Sequence, residues 1–236
     1  MGYRLVTDCF HFRGAIAPPA VASRQGTWCS KITAAGGSPT IKSGSGGAME
    51  LALDATNEVQ NLCLYMGDVL PYDIDLIKRL RVLAKMSTAS LAATVTAVIG
   101  LASARNDDPD AIAAAALFKL AGSNAVVLET DDGVINNDDV ATGETLGTTY
   151  KWLTIDFSQG IQTVAPPGTC KGGKGSVGFA IDNAAGSHRA VAARTLFDMS
   201  NYSGNLQLFA QLQKTAATAV GTLSILQFEI DHHIPG

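Results

Sequence analysis

The stretch Asn205-Leu-Gln-Leu-Phe-Ala-Gln-Leu-Gln-Lys214 sets Gln207, Gln211 and Gln213 against Leu206, Leu208, Ala210 and Leu212. A period of two predicts a strand with one face on a core and the other in water or on a partner. The last third of the chain repeats the theme. Strands are predicted over Ser176 to Asp182, His188 to Arg194, Leu206 to Lys214 and Thr222 to Asp231. Asn183-Ala-Ala-Gly186 and the loop Asp198 to Gly204 punctuate them.

Short apolar strands also fill the middle. Met49 to Leu53 and Val59 to Met66 flank a turn at Asp54-Ala-Thr-Asn57. Ile74 to Met86 fits two periods, because Ile74, Ile77, Leu80 and Leu83 also suit a helix. From about Ile77 the alternation of Leu80, Val82 and Ala84 with Arg79, Arg81 and Lys85 favours a strand. Thr94 to Ala104 is rich in β-branched residues, and Asn106-Asp-Asp-Pro109 ends it. Asp110 to Ala116 is alanine-rich and predicts one or two helical turns. Leu117 to Leu120 and Ala125 to Thr130 form a hairpin about Gly122-Ser-Asn124. Asp131 to Asp139 is polar and reads as a turn, before a strand over Thr149 to Phe157.

Residues 1–47 differ in texture, with Pro18-Pro19, Gly36-Gly-Ser-Pro39 and Ser43-Gly-Ser-Gly-Gly47 around one short strand at Thr27 to Ile32. The division is therefore a Gly/Pro-rich N-terminal arm over 1–47 and a β-sandwich domain over 48–236. The arm either lies on the body or a neighbour, or is a mobile tail. Many short strands with close turn signals predict an all-β, antiparallel, jelly-roll-like sandwich rather than βαβ units.

Composition sharpens the picture. The 236 residues suit one large all-β domain or two small ones, and 47% are hydrophobic while only 16% are charged. Soluble domains average about 25% charged, so the expectation is a surface partly covered by other subunits. A net charge of -4 disfavours nucleic acid as a partner. Lys78, Arg79, Arg81 and Lys85 are the densest basic group, read as the wet face of a strand. No transmembrane span is predicted: the apolar run from Ala89 to Ala104 is interrupted and short. Asp8, His11 and Arg13 interrupt any leader-like apolar segment, which predicts synthesis in a cytoplasm. Cys9, Cys29, Cys63 and Cys170 are dispersed and read as free, mostly buried thiols.

Candidate chemistry is sparse. Asp131, Asp132, Asn136 and Asp138, with Asn137 and Asp139, offer hard oxygens for calcium, but without EF-hand spacing; a solvated turn is the competing reading. His232 and His233 beside Asp231 would point to opposite faces of a strand, which suits an exposed terminus better than a metal site. Cys9 and His11 share a strand face but lack a third orienting group. Cys170-Lys-Gly-Gly-Lys-Gly175 is glycine-rich and basic, without the strand-to-helix setting of a phosphate cradle. Glu129 with Asp131, or Asp156 with Asp182, are the carboxylate pairs to test for sugar hydrolysis. Trp28 and Trp152 are the only tryptophans, few for a sugar cleft. No cofactor is expected, and the chain reads as non-enzymatic.

Five segments resemble tailed-bacteriophage virion proteins with a lectin-like or jelly-roll β-sandwich. They are Gly100-Leu-Ala-Ser-Ala-Arg-Asn-Asp-Asp108, Glu129-Thr-Asp-Asp-Gly133, Tyr150-Lys-Trp-Leu-Thr-Ile-Asp-Phe157, Phe197-Asp-Met-Ser-Asn-Tyr202 and the glutamine-alternating stretch to Lys214. The resemblance spans roughly Leu51 to Ile230 and includes no catalytic signature. It implies a capsid decoration or cement protein on the outer capsid surface, often a symmetric homo-oligomer, with the major capsid protein as partner. Gln207, Gln211 and Gln213 are the expected partner contacts. The alternative is a carbohydrate-binding or tail-associated receptor module on the same fold.

Overall fold

The computed structural model describes residues 3–7, 28–88, 90–158, 173–182, 188–190 and 197–232. Its early strands are β1 (Tyr3–Thr7), β2 (Cys29–Thr33), β3 (Thr40–Ser43), β4 (Met49–Ala52), β5 (Glu58–Tyr65), β6 (Tyr72–Asp73), β7 (Ile77–Met86) and β8 (Val95–Ala102). They continue with β9 (Ala115–Ala121), β10 (Ala125–Asp131), β11 (Asn136–Thr145), β12 (Lys151–Asp156), β13 (Gly178–Asp182), β14 (His188–Ala190), β15 (Asn205–Ala217) and β16 (Thr222–His232). Among the described residues the only helical pieces are short 3₁₀ turns.

The strands form two antiparallel sheets. The first runs β14-β13-β12-β7-β16-β4-β3, with β1 beside the far half of β16. The second runs β11-β10-β9-β8-β15-β5-β2, with β6 beside β15. Side-chain parity explains why they stack. In β7, Leu80, Val82, Ala84 and Met86 are buried in the core while Arg79, Arg81 and Lys85 lie on the other face. In β15, Leu206, Leu208, Ala210 and Leu212 enter the same core from the second sheet. Phe118 of β9 meets Phe179 of β13 edge-on at 5.3 Å, so ring packing joins the two sheets directly.

The strand over Ile77 to Met86, the hairpin of β9 and β10, and the last strands fall where the alternation predicts. Other segments differ. The alanine run holds a 3₁₀ turn only at Pro109–Ala111 and is already strand by Ala115. Ala115 and Ala116 are buried there, so packing overrides helix propensity. The polar segment after Asp131 becomes β11, an edge strand with polar side chains on both faces. It has no apolar period to read, and register shifts against β10 interrupt its pairing.

The boundary at residue 47 is not a structural one. β2 pairs with β5, β3 pairs with β4, and Trp28 packs against Phe228 at 5.0 Å. Residues 28–47 therefore belong to both sheets, and β1 adds a strand to the first. Their Gly and Pro residues mark the crossing between sheets rather than an arm. Pro18-Pro19 lies outside the described residues.

Candidate functional site

Two polar constellations stand on the outer faces of the sandwich. On the first sheet, antiparallel register brings Asp182, Thr154, Arg81 and Glu229 onto neighbouring strands. Arg81 Nη1 donates to Glu229 Oε2 at 3.1 Å, and its Nη2 lies 4.0 Å from Asp182. The Arg81 guanidinium sits 4.1 Å above the Trp152 ring. One step along the strands, Arg79 grips Asp231 through Nη2 at 2.6 Å and Nε at 3.1 Å. Lys85 lies 4.6 Å above the Tyr150 ring. Gln227 Nε2 donates to Glu229 Oε1 at 3.2 Å. Glu229, Asp231 and Asp182 thus face arginines, and the two half-exposed aromatics each carry a cation.

On the second sheet the outer face is covered by the chain itself. Residues 103–114, between β8 and β9, fold across it. Asn61 and Gln211 both donate to the Asp107 carbonyl at 3.0 Å. Ile112 enters an apolar patch with Cys63, Tyr65, Val98, Leu117 and Phe209. Beside it the buried Lys119 ammonium contacts Asp110 at 2.7 Å, Asp139 at 3.1 Å and Glu129 at 3.3 Å. Burial pushes the Glu129 carboxyl up to about 7, opposed in part by Lys119. Burial would lower the Lys119 ammonium, yet its hydrogen bond to Asp110 and the other acids raise it above the usual lysine range.

This cover corrects the glutamine assignment. Gln207 and Gln211 are 0% exposed. Gln207 Oε1 accepts from the amides of Met66 and Asp68, and Nε2 donates to Asp68 Oδ1 at 2.7 Å. Gln211 Nε2 also donates to Gln213 Oε1 at 3.0 Å, and Gln213 is half-buried. The period of two is real, but at Gln207 and Gln211 the polar face is sealed within the chain. Gln207 and Gln211 hold neighbouring loops down and present no surface to a partner.

The calcium candidates are engaged within the chain. Asp132 Oδ1 accepts from the amides of Val134 and Ile135, and Oδ2 from Asn201 N and Nδ2. Asp131 Oδ1 closes a turn onto Gly133, and Asn136 donates to Asp138 at 3.1 Å. Asp131, Asp132 and Asp138 thus commit carboxylate oxygens to hydrogen bonds within the chain. Among the described residues no group of three or more His, Cys, Asp or Glu is placed to hold a metal ion.

The remaining sequence candidates do not converge. Glu129 and Asp131 share the outer face of β10 but serve different networks. Asp156 accepts from Ser158 in a turn, while Asp182 faces Arg81. His232 is half-buried with its ring 6.2 Å from Tyr72, so it is not simply an exposed end. Cys63 is a buried free thiol, and Cys29 is buried in the same patch. Cys9, His11, Cys170 and His233 lie outside the described residues. Sequence reasoning missed Glu229, Lys119 and Lys214. Lys119 left a trace, a lone lysine inside the apolar run Ala115 to Leu120.

The fold is that of the jelly-roll, lectin-like β-sandwiches. The carbohydrate-recognition domain of Emp47p aligns with 92% of this chain and 95% of its own, at TM-score 0.56 and 10% identity. A Bacillus licheniformis β-glucanase aligns over 94% and 99%, at TM-score 0.53 and 11% identity. A Shewanella oneidensis MR-1 protein of unknown function aligns over 91% of both chains, at TM-score 0.52 and 10% identity. At such identities the likeness is one of fold. No family model matches the sequence, and no curated protein matches it.

Proposed function

We propose that this chain is a non-enzymatic virion structural protein, a decoration or cement protein of a phage head. The resemblance of the segments between Gly100 and Lys214 supports this reading. The structural observation that carries it is the state of the outward acids on the first sheet. Glu229, Asp231 and Asp182 face arginines, an arrangement suited to a rigid block rather than to proton transfer. The partners are the major capsid protein and further copies of the chain, on the outer capsid surface of particles assembled in a host cytoplasm. Binding only the assembled shell would shift it away from disassembly by mass action.

A second reading, carbohydrate binding, is favoured by Trp152 and Tyr150 on the outer face of the first sheet and by a fold shared with carbohydrate-recognition domains. One set of measurements separates the two. Purified chain is added to capsids of its phage stripped of accessory proteins. The cement reading expects saturable binding and a higher capsid disruption temperature. Absence of binding overturns it. Micromolar retention on a glycan array, lost in Trp152→Ala, would establish the carbohydrate reading instead.

A further inference from the structure

The segment 103–114 is held at several points over an apolar sheet face. Its ends close on each other, with Ser103 N donating to Ala114 O at 2.8 Å. Arg105 N donates to Asp68 Oδ1 at 2.7 Å, and the Asp107 carbonyl accepts from Asn61 and Gln211. Ile112 plugs the patch formed by Cys29, Cys63, Tyr65, Val98, Leu117 and Phe209. At the side nearest β9 its Asp110 pairs with Lys119 at 2.7 Å. That same ammonium serves Asp139 of β11 and Glu129 of β10.

From this arrangement we propose that residues 103–114 form a pH-sensitive strap, latched by Lys119 and loosened when the Glu129 carboxyl ionises. Charge counting gives the reason. With Glu129 neutral, one ammonium faces Asp110 and Asp139. With Glu129 ionised, a third carboxylate joins them, and Asp138 of β11 repels it further. Asp131 lies on the same outer face of β10, and Lys119 is the cation that Asp110, Glu129 and Asp139 share. Glu129 Oε2 is buried, and the support for its ionised form comes from Lys119, whose ammonium lies 3.3 Å away and is shared with two other carboxylates.

The direction follows from linkage. Burial holds the Glu129 carboxyl near 7, above its unfolded value of about 4.3. The stability it contributes is fully present below about pH 4.3 and is lost as the pH rises through about 7. The strap is therefore firmer in mild acid than above neutrality.

Hydrogen exchange of the full chain at pH 5 and pH 8, corrected for intrinsic rates, tests this. In wild type, amides of 103–114 should exchange at least about tenfold faster relative to intrinsic at the higher pH. Glu129→Gln should abolish that dependence while β15 stays protected. Asp110→Asn should leave the strap poorly protected at both pH values, a readout that does not need the Glu129 variant to fold. A wild-type strap protected equally at both pH values overturns the proposal. So does an unchanged pH response in Glu129→Gln, or a strap left unaffected by Asp110→Asn.

Discussion

Lys214 shows how much one buried side chain contributes here. Its ammonium donates to the carbonyls of Asp54 at 2.5 Å, Thr56 at 2.8 Å and Ala219 at 3.2 Å, and the residue is 1% exposed. Removing it strands main-chain acceptors inside the protein. Lys214→Met should lower unfolding stability by about 2–4 kcal/mol, read as a shift in the urea midpoint with unchanged slope. A midpoint within error of wild type would show that water takes over the three bonds. In the sequence Lys214 closes the alternating run and suggests solvent. Burial of a lysine by the carbonyls of distant turns has no local signal.

At the scale of elements, the instructive place is the corner where the chain passes between sheets. The β2–β3 connection is held by two carboxylates. Glu58 accepts from the amides of Ala35, Gly36 and Gly37, and Asp54 accepts from Ser38 and Thr56. Gln60 bridges both acids, donating to Asp54 at 2.6 Å and Glu58 at 3.0 Å. The Gln60 hydrogen bond, followed by those from main-chain amides, holds both carboxyls below the usual range. A depressed carboxyl stabilises the fold above its unfolded value and loses that effect as the pH falls towards its folded one. The contribution of Asp54 and Glu58 to the melting temperature should therefore stay level from neutrality to about pH 4 and fall below it. Asp54→Asn should melt lower at pH 7 and show a shallower acid fall. Identical acid limbs would remove Asp54 from the account. The turn at Asp54 to Asn57 was legible from its residues. Its second task, clamping another loop, was not, because that loop lies some twenty residues away (Ala35 bonds Glu58, |i−j|=23).

For the whole molecule, the first 47 residues matter most to how the sandwich is drawn. β1, β2 and β3 pair with β16, β5 and β4 respectively. A chain lacking residues 2–47 should lose its cooperative melt by circular dichroism, since it exposes the edges of β5 and β4 and unlinks the sheets. A cooperative melt at the wild-type temperature would return these residues to the role of an arm. Periodicity alone determined the strands of the body, their antiparallel neighbours and the sandwich class, because a two-residue period states which side chains share a face. It identified the outward glutamines of β15 but not that the turn at Met66 to Asp68 engages Gln207 and residues 103–114 engage Gln211. It could not find β11, whose polar edge has no apolar face to repeat. Nor could it join Arg81 to Glu229, or Lys119 to three acids on other elements. Those pairings depend on strand order and loop path, which set what lies beside and above a face. Only the tertiary structure decides them, because an alternating pattern carries parity and nothing about the neighbour.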